Sequence, residues 1–192
     1  MLAEKGVPCF MGKAAEFEKE KLIIGIIYPT DELYDIIINT LTEKFGPIDD
    51  MTEEFSFSEE FSTYYDDEIG GEARRKILSF EALVDPAEQA AIKTFTNEFE
   101  ASFSEGGKRK INIDPGFLSH GRLMLATTKK TGFRIPLSDG IYTELTLFYA
   151  RGAWQKLPWT YRDYQSQRVQ SFLTKVRKKY LCQRKELTES EG

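Results

Sequence analysis

The stretch "LIIGIIY", residues 22–28, is apolar without interruption. A strand with one wet face alternates apolar and polar residues, whereas an unbroken run suits a strand buried on both faces. The run is far too short to cross a membrane, which takes about 20 apolar residues. It is the best candidate for the centre of a sheet.

Its surroundings extend the pattern. Pro29-Thr30-Asp31-Glu32 follows; Thr30 suits an N-cap, and the two acids favour the positive end of a helix. Leu33, Ile36, Ile37, Leu41 and Phe45 recur at helical spacing until Gly46-Pro47 stops them. Phe55 and Phe57 share a face of a half-buried strand expected over 54–58, and an aromatic then acidic segment, 61–68, ends at Gly70-Gly71. Ile77 to Val84 alternates as another strand. In Asp85-Pro86-Ala87-Glu88, Asp85 can cap, Pro86 fits the first helical position, and Glu88 can close a capping box. Ile92, Phe95, Phe99 and Phe103 then form one helical face that Gly106-Gly107 ends, and Lys110 to Ile113 resumes a strand. Asp114-Pro115-Gly116 reads as a corner, because a residue before proline is extended and turns often begin there.

The order strand, helix, strand, strand, helix, strand predicts an α+β fold with a ferredoxin-like βαββαβ core. Right-handed crossovers would put both helices on one sheet face. Residues 123–128 read as strand or short helix, with strand favoured. An added C-terminal β-hairpin region joins 133–137 to 141–149 across Ser138-Asp139-Gly140, and Arg151-Gly152 turns the chain again. Val169, Phe172, Leu173, Val176 and Tyr180 mark a C-terminal helix whose outer face carries Arg168, Lys175, Arg177, Lys178 and Lys179. The expected organisation is a flexible N-terminal arm (1–20), a single α+β domain (21–182) and a flexible C-terminal tail (183–192).

With 192 residues, 41% of them apolar, the chain can build a packed core. A net charge of −5 gives no global attraction for nucleic acid or an anionic membrane, so neither is an expected partner. The charge is uneven: residues 43–72 hold eleven acids and one base, and residues 108–134 hold seven bases and one acid. Two readings stay open, namely faces that attract each other or meet water, and an acidic lobe and a basic groove with separate partners. Cys9 and Cys182 show no CxxC or Cys/His spacing, which argues against structural zinc and a disulfide framework and fits a cytoplasmic protein.

His120 is the only histidine, which excludes a two-histidine phosphodiesterase; Ser119-His120-Gly121 reads as a turn. There is no GxxxxGK[ST] P-loop and no GxGxxG fingerprint, and "GGKRK" at 106–110 leaves a helix for a strand, the reverse of a P-loop. The signature for RNA stacking on strand aromatics is missing from "KILSFEAL". Asp66, Asp67 and Glu68, with Asp114, are oxygen donors that could take Mg²⁺, or simply a solvated loop. No metal residues are assigned. Lys129, Lys130 and Arg134, with Arg122 nearby, give the best ligand signal, since they could hold a phosphate or carboxylate by charge-assisted bonds. Tyr161, from "LPWTYRDY", would wall the organic part of such a ligand; Trp159, Tyr161 and Tyr164 could equally plug a connection onto the core. Asp114 and Glu144 are possible polar partners, Glu144 with Arg134 opposite it on the hairpin.

The blocks "YYDDEIG", "RRKILSFEALVDP", "TNEFE", "NIDPGFL", "LATTK", "DGIYTELTLFY" and "PWTYRDY" occur in this order. Over residues 22–164 they resemble an uncharacterised bacterial family, a domain of unknown function whose members are sometimes labelled GTP-binding protein. The resemblance implies a single small bacterial domain and brings no catalytic residues. The expected function is binding of a small anionic or phosphorylated ligand in the basic C-terminal half. The alternatives are a protein-interaction module using the acidic lobe or the basic C-terminal helix, and a Mg-dependent phosphate-ester enzyme.

Overall fold

The apolar run lies mid-sheet in the computed structural model, which describes residues 14–190. In chain order the elements are β1 (Glu20–Tyr28), α1 (Asp31–Phe45), β2 (Ile48–Met51), β3 (Phe55–Ser56), α2 (Phe57–Glu60), α3 (Asp66–Ile69), β4 (Arg74–Val84), α4 (Gln89–Ser102), β5 (Asn112–Leu118), β6 (Arg122–Thr127), β7 (Ile135–Pro136), β8 (Tyr142–Ala150), β9 (Ala153–Lys156) and α5 (Gln167–Ser190). They make an α+β fold on one large antiparallel sheet, ordered β2-β4-β1-β5-β6-β8-β7, with β3 beside β4 and β9 beside β8. Every residue of β1 is buried.

Side chains alternate across a strand, so the two faces of β1 enter two cores. Leu22, Ile24, Ile26 and Tyr28 pack with Ile37 and Leu41 of α1, Ile92 of α4, and Ile111 and Ile113. Both of these helices therefore cover one face, as the crossover rule requires. Ile23 on the other face joins Ile77, Leu125, Leu147, Trp154 and the inner stripe of α5: Val169, Phe172, Leu173, Val176 and Tyr180.

The helix starts follow the capping chemistry. The Thr30 hydroxyl accepts from the Leu33 N–H at 3.4 Å, and an Asp85 carboxylate oxygen accepts from the Ala87 N–H at 2.8 Å. Asp85 caps a 3-10 turn, Pro86–Glu88, that leads into α4, so the α-helix itself begins at Gln89. At the two hairpin turns, Asp139 and Gly140 have φ of 53° and 75°, and Arg151 and Gly152 have 54° and 79°. These are the left-handed pairs that match strand twist.

Several expectations are corrected. The strand after α1 is Ile48–Met51, four residues with two acids at their centre that periodicity did not mark; the expected 54–58 strand shortens to Phe55–Ser56 and turns into α2. Ser56 explains the change, because its hydroxyl caps α2 by accepting from Glu59 N–H. Asp114-Pro115-Gly116 is no corner but the middle of β5. The C-terminal helix runs on to Ser190, through most of the segment expected to be a tail. Residues 1–13 of the expected arm, with Cys9, lie outside the described residues; within 14–20, Glu20 is already strand. Among the described residues no helix is long and apolar enough to cross a membrane.

Candidate functional site

The sheet opens between β5 and β6. These strands pair only from Gly116 to Leu118 with Leu123 to Leu125. Beyond that, β5 stays paired to β1 as far as Asn112, and β6 stays paired to β8 as far as Thr127. Between the two diverging halves lies a cavity of about 100 Å³, lined by β5, β6, α4, Arg75 of β4 and the 161–164 segment.

Pro115 and Gly116 explain where the opening starts. Ile113 and Ser119 both direct their N–H groups to the β6 side, to Glu100 and to the Arg122 carbonyl. Alternation puts the Pro115 nitrogen on that side as well, with no hydrogen to donate. At Gly116 the strands approach so closely that a Cβ would lie 2.2 Å from the Met124 carbonyl oxygen.

The exposed strand edge is satisfied by α4. Glu100 Oε1 accepts from Ile113 N–H at 2.7 Å, and Lys93 Nζ donates to the Ile113 carbonyl at 2.8 Å. Lys93, Asn97 and Glu100 are spaced to share one helix face. Arg109 joins Glu100 to Glu68 through contacts of 3.2 and 2.8 Å. Burial pushes the Glu100 carboxyl above its ordinary range, although Lys93 and Arg109 pull it back. A carboxyl raised in this way binds its proton more tightly in the folded chain. The linked stabilisation is full below the unfolded value, about 4.3, and is lost as pH rises through the folded one. Glu100→Gln should remove that slope. Urea midpoints of the variant should gain on wild type as pH rises from about 4 to 7; parallel profiles would contradict the assignment.

On the opposite sheet face, Arg75 is buried with its side chain 3% exposed, and its Nε meets Asp163 Oδ2 at 2.8 Å. Gly25, in the middle of the apolar run, makes the room: a Cβ there would lie 2.7 Å from Arg75 Nη2. Nη2 reaches the Tyr164 hydroxyl at 3.4 Å. Nη1 has no hydrogen bond among the described residues and lies 3.7 Å from Asp114 Oδ2. Burial pushes the hydroxyls of Tyr65 and Tyr164 up, and burial with the Glu144 charge pushes Tyr161 up to about 12. All three phenols therefore stay protonated near neutrality.

Asp114, Lys129, Glu144 and Tyr161, expected as ligand or partner residues, all line this cavity. Arg134 stands behind it as a brace. Its Nε donates to Glu144 at 2.6 Å, Nη1 to the Lys129 carbonyl at 2.7 Å and Nη2 to the Tyr161 hydroxyl at 3.2 Å. The expected cradle of paired Lys129 and Arg134 head groups is thus replaced by an Arg134–Glu144 ion pair, with Lys129 Nζ lying 5.9 Å from the Tyr64 ring centroid. Arg122 is at the far end of β6, opposite Phe148, and its guanidinium pairs with Glu20. Trp159 and Tyr164 act as packing: Trp159 stacks on Phe133 at 4.5 Å, and Tyr164 is buried.

Arg75, Lys93, Arg109 and Asp163 were not singled out from the sequence. Arg75 and Asp163 sit inside the blocks "RRKILSFEALVDP" and "PWTYRDY", but a charge beside other charged residues in a strand or loop reads as solvated. The available signal was Gly25, since a glycine inside a strand marks close approach of another group.

Asp66 accepts from Ser58 and Glu68 from Arg109. Among the described residues no group of three or more His, Cys, Asp or Glu is gathered as a metal site. Part of the acidic excess is paired within the chain. Asp49 pairs with Lys21, Asp50 with Lys175 and Lys179, Glu54 with Arg74, and Glu60 with Arg168.

A family model described as Domain of unknown function (DUF4416) matches residues 18–180. The chain belongs to this family. The match runs from just before β1 to Tyr180 in α5, so every cavity residue of the DUF4416 domain falls within it. No curated protein and no solved structure matches the chain.

Proposed function

We propose that this domain binds a small anion in the cavity between β5 and β6. The observation that carries the reading is the buried Arg75 guanidinium, whose Nη1 has no hydrogen bond among the described residues. A desolvated guanidinium is a strong partner for a carboxylate or phosphate, because charge-assisted bonds gain in a low dielectric. Lys93, Arg109 and Lys129 add cations to the wall, and Thr127, Thr128 and Tyr161 add hydroxyls. Size narrows the ligand. Pockets for drug-sized molecules run to roughly 300–1,000 Å³, whereas this one holds about 100 Å³. That is room for an anionic head group, with any larger body reaching past Lys129 and Tyr161 to solvent.

The frame that holds the cavity fits a ferredoxin-like core. The order β2-β4-β1-β5, antiparallel throughout and with α1 and α4 on one face, supports this reading. A bacterial cytoplasmic setting accords with the family resemblance and the cysteine usage.

A thermal-shift series with phosphate, sulfate, carboxylates, sugar phosphates and nucleotides tests the proposal. A specific anion at about 100 times its Kd should stabilise the fold by roughly 2.7 kcal/mol, and Lys129→Ala should weaken the response without lowering the ligand-free midpoint. Equal midpoints with every anion would overturn the anion site.

A further inference from the structure

The cavity wall is not uniformly cationic, and its one accessible carboxylate defines the ligand further. Asp114 projects from the unpaired half of β5, 31% exposed, while the other two carboxylates of the lining are nearly closed off, Asp163 at 3% and Glu144 at 2%; Glu68, the 30% exposed partner of Arg109, lies outside the lining. Asp114 Oδ2 accepts from Asn112 Nδ2 at 2.7 Å. Oδ1 has no hydrogen bond among the described residues and lies 3.9 Å from Lys93 Nζ. The same carboxylate, through Oδ2, stands 3.7 Å from Arg75 Nη1, a nitrogen that also lacks a hydrogen bond.

Resting on the anion-binding reading above, we infer that the ligand is a hydroxylated anion: its charged group lies on Arg75, and a neighbouring hydroxyl donates to Asp114 Oδ1. The choice of hydroxyl over ammonium follows from the surroundings. A ligand ammonium at this carboxylate would be repelled by Lys93, 3.9 Å from Oδ1, and by Arg75, 3.7 Å from Oδ2. A hydroxyl brings a donor without a charge, and its own oxygen can accept from Lys93 or from a protonated tyrosine. The class includes polyol phosphates and hydroxy acids, which share an anion and an adjacent hydroxyl. A plain anion would fill the Arg75 side and leave the Asp114 acceptor without a donor from the ligand, the kind of mismatch that discriminates between ligands.

Calorimetric titration of the full chain with four probes tests this. Inorganic phosphate is paired with glycerol 3-phosphate, and propionate with glycerate, so the two arms separate the phosphate and carboxylate sources. In at least one arm the hydroxylated member should bind about tenfold more tightly or better, the discrimination expected of one hydrogen bond to a charged group. Asp114→Ala should bring the two members of that pair to within about twofold while the plain anion still binds. Equal affinities within both wild-type pairs would overturn the hydroxyl contact and leave the anion site standing. Discrimination that persists in Asp114→Ala would assign it to another group and overturn the proposal equally. Should that variant fail to fold, the wild-type pairs alone decide. No binding of any probe would remove the anion site and this inference together.

Discussion

Arg75→Met should destabilise the domain by about 3–5 kcal/mol, measured by urea unfolding at neutral pH. Removing one partner of a buried ion pair leaves the other as an uncompensated charge. Here Asp163 would remain with its side chain 3% exposed, and Asp114, at 3.7 Å from the lost guanidinium, would lose its second cation. Burial already pushes the Asp163 carboxyl above its ordinary range even with Arg75 against it. The size of the effect therefore reflects the stranded carboxylate more than the net worth of the pair. The double variant Arg75→Met, Asp163→Leu separates the two. It should recover much of the loss, because a buried pair replaced by apolar side chains is often near neutral. A loss below about 1 kcal/mol in the single variant would mean that water reaches Asp163 and that the pair is not desolvated.

Gly116→Ala should cost about 1–3 kcal/mol or more, the range for overpacking a closed core. The added Cβ would meet the Met124 carbonyl oxygen at 2.2 Å and Leu125 Cδ2 at 2.6 Å. The first obstacle is backbone, so rotating a side chain cannot relieve it. The strands must separate at their last three pairs, where the cavity begins. The loss should therefore extend to ligand response, and hydrogen exchange at β5 and β6 should quicken. Gly121→Ala is the control. It lies in the turn between the same strands with nothing within 4 Å of its added Cβ, and should stay within about 0.5 kcal/mol of wild type. Equal effects at the two glycines would refute the close approach at Gly116.

The different outcomes at "LIIGIIY", "NIDPGFL" and Arg75 divide what sequence by itself determined from what only tertiary structure decided. Periodicity reports burial of neighbours along one element. An unbroken apolar run placed β1 in the middle of the sheet, and the stripes Leu33–Phe45, Ile92–Phe103 and Val169–Tyr180 placed three helices against it. Caps and left-handed turns are equally local, so Thr30, Asp85, Asp139-Gly140 and Arg151-Gly152 could be read residue by residue. β2 escaped because four edge residues carry too little pattern, and "DPG" misled because proline in a strand resembles proline in a turn until the unpaired edge is seen. The expected site was legible in part. Lys129, Asp114, Glu144 and Tyr161 came from charge and aromatic density in a contiguous stretch or nearby block. Whether a charge is free, paired or buried depends on partners far along the chain. Arg134 and Glu144, ten residues apart across the expected hairpin, could be read locally, but Arg122 is claimed by Glu20, 102 residues away, and Arg75 joins Asp163 from the other half of the molecule. Such pairings are set by how the sheet opens between β5 and β6 and by what α4 and the 161–164 segment bring to that opening, and no local spacing encodes them.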